Sequence, residues 1–159
     1  QLVLPKMREH GQGKIINISS VGGKVALPMG GWYHASKFAL EALSDCMRME
    51  VKPFGIDVIV VEPGATKSEW ANIAFDSLMK VSGDTHYKDL AGKVYNTFEK
   101  VAKNVSAPEN IAQLILKAIE STSPKARYVS GKWDAKFLLT LKRILSDNMM
   151  DKLIMGQAK

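Results

Sequence analysis

Apolar residues in this chain fall into short unbroken runs separated by longer periodic stretches. Ile15, Ile16 and Ile18 make a β-branched run, apolar on both faces, that predicts a strand, and Asp57–Glu62 is a second, nearly all apolar. Runs without polar alternation are what a parallel sheet covered by helices requires. Between them, Tyr33 to Lys52 reads as a long helix that Pro53-Phe54-Gly55 ends, the glycine suiting a left-handed cap. Strand, long helix and strand with tight connections form a βαβ unit, whose crossover is expected to be right-handed. Upstream, Gln1 to His10 reads as the tail of a helix, with Leu2, Leu4 and Met7 apolar and His10-Gly11-Gln12-Gly13 closing it.

The pattern is least regular over residues 67–105. Trp70, Ile73, Phe75, Leu78, Met79 and Val81 supply apolar mass, Ser82-Gly83-Asp84 breaks it, and a helix from about Tyr87 to Lys103 follows. Ser106-Ala-Pro-Glu109 matches a capping box and opens an amphipathic helix with Ile111, Leu114, Ile115, Ala118 and Ile119 inward. After Ser121-Thr-Ser-Pro124, Arg127–Gly131 predicts a last short strand. Trp133 to Met155 then carries Phe137, Leu138, Leu141, Ile144 and Leu145 at helical spacing, with a break near Ser146-Asp147-Asn148. The result is an α/β chain with three strands, near Ile15, Val58 and Tyr128, and flanking helices.

Composition narrows the class without changing that picture. At 159 residues, 46% hydrophobic and 24% charged, the chain suits one domain with a sizeable core. No apolar run reaches the ~18 residues of a transmembrane helix, and Pro5, Lys6, Arg8 and Glu9 interrupt any leader-like core. Cys46 is the only cysteine, so no internal disulfide forms and a reducing, cytoplasmic setting is expected. Its neighbours Ala42, Leu43 and Met47 predict a small buried residue rather than a reactive thiol. From Lys125 onward there are eight Lys/Arg against three Asp/Glu, most of the chain's net charge of +6. Such an excess fits anionic partners, yet no zinc-finger, helix-turn-helix or aromatic-basic signature supports nucleic acid. A solvated helix face is the default, with peripheral membrane contact the alternative. His34 and His86 lack spaced metal partners and read as structural or solvent-facing, so no metal is expected.

The chemistry concentrates between Ser19 and Lys37, where a strand end runs through a Gly-rich loop into a helix. Tyr33 and Lys37 are four apart, which on a helix stacks them on one face. A phenol ionises near pH ~10 and is a poor base at neutral pH. An ammonium beside it favours the phenolate, which makes the pair a candidate proton-transfer device. Ser20 lies where the loop can bring a hydroxyl to the same point, as donor to a substrate oxygen. Ser19 is the runner-up for that role.

Ser20, the thirteen-residue step to Tyr33, and Tyr33-His-Ala-Ser-Lys37 resemble the active-site segment of short-chain dehydrogenases/reductases, whose signature is Ser followed by Tyr-x-x-x-Lys. Lys14–Ser19 and Val60-Val-Glu-Pro-Gly64 stand where that family has its fifth and sixth strands. The Pro-Gly-Ala-Thr-Lys-Ser-Glu-Trp segment and the Arg-Tyr strand most resemble the hydroxysteroid- and retinol-dehydrogenase-like branch. The resemblance implies a doubly wound, parallel-sheet, Rossmann-like fold of seven strands. Residues 1–159 would be the C-terminal portion of one such domain, with residues 67–105 as its substrate lid. The N-terminal dinucleotide-binding half, with its Gly-rich fingerprint, does not appear in this sequence, and a truncated, proteolysed or incompletely encoded chain is the expectation.

The implied activity is hydride transfer between NAD or NADP and an alcohol or carbonyl. Tyr33 would be the general acid/base, Lys37 would lower its pKa and bind the ribose hydroxyls, and Ser20 would hold the substrate oxygen. Pro63, Gly64, Thr66 and Ser68 would line the nicotinamide, Thr66 through its backbone and Ser68 through its hydroxyl, with helix N-capping the alternative for both. The bulky apolar residues of 67–105 point to a lipophilic small-molecule substrate, with a plain core role the alternative. A homo-oligomer is implied as well. A non-catalytic binding or subunit-interaction domain that retains the scaffold is the competing function. For the 159 residues alone, the expectation is an exposed Ile15 strand edge, self-association, and neither nucleotide binding nor turnover.

Overall fold

A computed structural model describes residues 2–102, 105–131 and 133–157. Three strands, β1 (Gly13–Ile18), β2 (Ile56–Pro63) and β3 (Arg127–Ser130), pair in parallel in the order β1-β2-β3. The register sets Ile15 beside Val58 and Ile18 beside Val61, and sets Val61 beside Tyr128 and Pro63 beside Ser130. All three expected strands are present. β2, paired on both sides, is the most deeply buried, with Ile56, Val58, Ile59, Val60 and Val61 at 1% exposure or less. β1 is an edge of this sheet, and its Ile18 is 41% exposed.

Because side chains alternate along a strand, β2 builds two cores. Ile59 and Val61 pack with Tyr128 and Ala118 on one face, joined by Ile16, Ile111, Leu114 and Ile115. Ile56 and Val58 pack on the other with Val51, Leu4, Met7, Ile15 and Met47. The first face is covered by α5 (Pro108–Glu120), the second by α1 (Leu4–Glu9) and α2 (Gly31–Val51). This is the layered α/β arrangement that the unbroken apolar runs call for. Each aliphatic side chain buried this way contributes about 1.5–3 kcal/mol.

The remaining helices are α3 (Trp70–Ser82), α4 (Lys88–Ala102), α6 (Trp133–Ile144) and α7 (Asp147–Gln157). α3 and α4 form a hairpin whose seam is aromatic: Phe75 lies 4.1 Å from the Phe98 ring and 6.0 Å from Tyr95. The break between α6 and α7 falls at the expected Ser146, whose carbonyl accepts from Met149 and Met150. The expected helix start at Gln1 and helix end at Lys103 lie outside the described residues. Among the described residues no helix is long and apolar enough to cross a membrane.

Three local expectations are corrected. Cys46 is exposed, because the inward residues of α2 are His34, Glu41, Ser44 and Val51, and a position two past Ser44 points about 200° away around the helix. Ile119 is 51% exposed rather than inward, beside the buried Ala118. The capping box does not form. Ala107 is the N-cap of α5, without a side-chain cap bond, and Pro108 takes the first turn. Ser106 is drawn instead into a parallel bridge with Thr66, its N–H donating to Ala65 O (2.9 Å) and its carbonyl accepting from Lys67 N (2.9 Å).

The turn from α2 into β2 closes on Gly55, at φ 70°. A Cβ there would run into the Gly11 carbonyl oxygen. Gly55→Ala therefore combines a left-handed penalty of about 1–2 kcal/mol with a backbone clash. The expected loss of at least that much stability is read by chemical denaturation, and a Gly55→Ala variant as stable as the parent would contradict this packing.

Candidate active site

β1 ends at Ile18, and the chain turns at once. Ser19 is buried, and Ser20 caps a 3-10 turn over Val21–Gly23. The Ser20 hydroxyl accepts from the Gly22 N–H (3.0 Å) and donates to the Pro63 carbonyl (3.3 Å). It thus ties the carboxyl end of β1 to that of β2. Thirteen residues on, Tyr33 lies in the first turn of α2, and Lys37 one turn later donates from Nζ to the Ile18 carbonyl (3.0 Å). Both side chains are half-buried. Ser20, Tyr33 and Lys37 therefore converge at the carboxyl ends of β1 and β2, where open α/β sheets bind ligands.

The loop between them is held by a residue whose part in the site the sequence does not single out. His34 is buried, accepts from the Leu27 N–H at Nε2 (3.0 Å), and donates from Nδ1 to the Gly22 carbonyl (2.8 Å). That pattern fixes the neutral Nδ1–H tautomer. Its structural reading holds, while His86 is exposed. Gly22 leaves no room to spare, since a Cβ there would sit 3.0 Å from the Tyr33 ring. Met29, at φ 66°, takes a conformation that side chains avoid, so the loop is strained where it enters α2. The Tyr33 ring meets His34 edge-on at 5.3 Å and Trp70, the first residue of α3, at 4.8 Å.

The segment after β2 gathers the other predicted residues. Pro63 and Gly64 are half-buried at the strand end, and Gly64 N–H donates to Ser130 O (2.6 Å). Thr66 Oγ1 donates to the Gly64 carbonyl (3.0 Å), while Ser68 is exposed. Neither caps α3, whose N-cap is Glu69 without a side-chain bond. Among the described residues no group of three or more His, Cys, Asp or Glu is arranged to hold a metal.

Beneath the site lies a charged cluster that motif reading missed, since its members are far apart in sequence. Glu41 shares the helix face of Tyr33 and Lys37, at successive fourth positions. Its Oε2 is 2.9 Å from Lys24 Nζ, just past the Ser20 turn, and accepts from Arg127 Nε of β3 (3.1 Å). Arg127 also clamps Asp45 through two bonds of 2.7 and 2.8 Å, and its Nε lies 3.2 Å from Glu62 Oε1 on β2. Burial pushes the Glu41 carboxyl up, but hydrogen bonds from Lys24 and Arg127 outweigh it and hold the group below the ordinary range. Burial, joined by the Glu41 charge, pushes Glu62 up.

An α/β sheet whose first strand feeds a Ser turn and then a Tyr-x-x-x-Lys helix defines a class in which hydroxyl, phenol and ammonium converge at one sheet end. The chain belongs to the short-chain dehydrogenase/reductase family. The family model for short chain dehydrogenases matches residues 1–77. A probable short-chain type dehydrogenase/reductase of Helicobacter pylori is 36% identical over 153 residues, covering 96% of this chain and 55% of that protein. The 17-beta-hydroxysteroid dehydrogenase type 6 of Mus musculus is 33% identical over 156 residues, covering 90% and 48%. The crystal structure of a short-chain dehydrogenase from Streptomyces avermitilis superposes with a TM-score of 0.65 at 29% identity, covering 94% of this chain and 52% of that one. Two further solved members share the fold. One, from Burkholderia cenocepacia in complex with NADP, has a TM-score of 0.62 at 20% identity and coverages of 94% and 49%. The other, from Burkholderia phymatum in complex with NAD, has a TM-score of 0.67 at 17% identity and coverages of 95% and 53%. The chain spans about half the length of the curated relatives it matches.

Removing the imidazole leaves the Leu27 N–H and the Gly22 carbonyl without their partner. His34→Ala is expected to cost about 1–3 kcal/mol, the range for a buried polar group left unsatisfied, and to expose the 21–30 loop to limited proteolysis. Wild-type protease resistance of that loop would show that His34 does not hold it.

Proposed function

We propose that this chain carries the proton-transfer half of an NAD- or NADP-dependent oxidoreductase that interconverts an alcohol and a carbonyl. The observation that carries the reading is the convergence of Ser20, Tyr33 and Lys37 on one contiguous strand–turn–helix unit at the sheet's carboxyl end. Tyr33 is the general acid/base, giving its phenolic proton to the carbonyl oxygen in reduction and recovering it in oxidation. Ser20 donates to the same oxygen and orients it once its one hydroxyl proton turns from the Pro63 carbonyl, a long bond of 3.3 Å. Lys37 is fixed by the Ile18 carbonyl, which uses one of its three N–H donors. The others are suited to ribose hydroxyls.

The donor set fits a nicotinamide cofactor. The half-buried Lys37 ammonium is tied to the end of β1, and the Pro63-Gly64 backbone, Thr66 and the exposed Ser68 hydroxyl follow from the carboxyl end of β2, the end at which open parallel sheets bind ligands. These residues would hold the ribose and carboxamide, and the cofactor when bound supplies or accepts the hydride. Two solved proteins of the same fold, crystallised with NADP and with NAD, support either nucleotide.

The substrate is a lipophilic alcohol or ketone. Trp70 lies against the Tyr33 ring, and the α3–α4 hairpin that it opens has an aromatic seam, which supports residues 67–105 as the apolar lid of the site. The relative named as a hydroxysteroid dehydrogenase supports the same substrate class. Self-association is part of this reading. The outward face of α2 carries Trp32, Leu43 and Met49 at 93, 57 and 67% exposure, more apolar surface than a solvated helix face needs.

In the whole protein, Tyr33→Phe keeps the ring packing and removes the proton. A rate loss of at least ~10²-fold is expected, the low end for general acid–base catalysis, with NAD(P)H affinity in a fluorescence titration little changed. Lys37→Arg is expected to damage turnover as well, because a planar guanidinium does not replace a compact ammonium. Undiminished turnover by Tyr33→Phe would remove Tyr33 from the mechanism.

A further inference from the structure

The cluster beneath the site contains two carboxyl groups that the mechanism does not use. Glu41 and Glu62 are 3% and 2% exposed, and each keeps one buried oxygen, Oε1 in both cases, that receives no hydrogen bond. The two groups meet on a single atom. Arg127 Nε donates to Glu41 Oε2 and lies 3.2 Å from Glu62 Oε1. Two buried carboxylates on one guanidinium nitrogen repel each other, and a buried oxygen without a donor is costly. One proton between them removes both penalties, since a protonated carboxyl is itself a donor.

We propose that Glu41 and Glu62 hold one shared proton, carried on Glu62, which leaves Glu41 as the single fixed anion that ties the Ser20 turn to the Tyr33 helix through Lys24. The assignment to Glu62 follows from its partners. Glu41 is approached by Lys24, by Arg127 and by the Ser19 hydroxyl turned toward it from the end of β1. Glu62 has the shared Arg127 contact and the more distant Lys24 charge, with no ion pair to Lys24, and faces the Glu41 carboxyl. The other charges of the cluster are Asp45 and Arg48 on α2, which pair with each other (2.5 Å) while Asp45 also holds Arg127. The raised position of Glu62 and lowered position of Glu41 agree with this division.

In this arrangement Glu41 and Lys24 are positioning residues. The ion pair of 2.9 Å closes the loop that begins at Ser20 onto the helix that presents Tyr33 and Lys37. Glu41 sits one helical turn beyond Lys37 on α2, and its carboxyl is buried. The proton on Glu62 keeps that pair intact, because an ionised Glu62 would compete with Glu41 for Arg127 and Lys24. The inference rests on the oxidoreductase reading only for its effect on turnover; the proton itself is measured without any substrate.

Gln at position 62 mimics the protonated acid, whereas Gln at position 41 discharges the anion, so the two conservative variants separate the roles. In the whole protein labelled with ¹³C at the Glu carboxyl carbons, one resonance is expected to titrate above the ordinary carboxyl range and to vanish in Glu62→Gln. Thermal midpoints against pH give the same answer with opposite signs. A group raised in the fold loses stability as pH climbs from the ordinary carboxyl value to its own, so Glu62→Gln gains on the wild type through that window. A group lowered in the fold loses its contribution as pH falls below the ordinary value, so the deficit of Glu41→Gln shrinks on acidification. In turnover, Glu62→Gln is expected to stay within about threefold of wild type. Lys24→Met, which leaves both carboxyls in place, is expected to lower kcat about tenfold or more, the scale of a misplaced catalytic group, with nucleotide affinity unchanged. All Glu resonances titrating in the ordinary range, or equal and same-signed pH curves for the two Gln variants, would overturn the shared proton. Wild-type kcat in Lys24→Met would overturn the tie. A wild type without turnover whose Glu62 still titrates high would count against the oxidoreductase reading alone.

Discussion

A helix that turns a polar stripe toward an apolar strand is the constraint from which the rest of this structure follows. α2 lies over β2, whose side chains on that face are aliphatic until Glu62. Yet the stripe it presents is Tyr33, Lys37, Glu41 and Ser44 rather than leucines. Each of those groups must find a partner or reach the crevice, because a buried polar group without one costs a few kcal/mol. Lys37 finds the Ile18 carbonyl, Ser44 accepts from Asn17 on β1 (2.9 Å), and Glu41 finds Lys24 and Arg127. The stripe runs from the candidate site at its first turn to buried electrostatics at its third.

That requirement explains why the turn after β1 is so heavily bonded. Ser20 bridges two strand ends, His34 bridges two points of the loop, and Lys24 anchors its far side. A glycine-containing loop of this length would otherwise sample many conformations, and a hydroxyl on it would be of little use for holding a substrate oxygen. Buried ion pairs are weak evidence for stability, since desolvation consumes most of the attraction. Here their evident effect is on geometry, because Arg127 draws α2, β2 and β3 to one point.

Legibility in the sequence followed the range of each interaction. β1 and β2 were readable because an unbroken run such as Val58–Val61 needs no distant partner to be interpreted. Tyr33 and Lys37 were readable because four residues along a helix is a local fact, and Ser20 because its spacing to them resembles a known family. Cys46 was misread because inward was equated with apolar, and the inward face of α2 is polar. The capping box over Ser106–Glu109 failed because a contact from residues 65–67, some forty positions away, claimed the Ser106 backbone first. The cluster of Lys24, Glu41, Glu62 and Arg127 was invisible for the same reason: no pattern in one segment announces a partner in another.

The four-residue repeat of the α2 stripe also makes the length of this helix a coded quantity. One residue inserted between Tyr33 and Glu41 would turn everything beyond it about 100° around the axis and lift it about 1.5 Å. The Tyr33 end and the Glu41 end would then face different directions, and no side-chain substitution could realign them. Drift by replacement is open to most of this helix, but drift by insertion or deletion is closed between those two residues, while the exposed surface near the α3–α4 turn is free to change length.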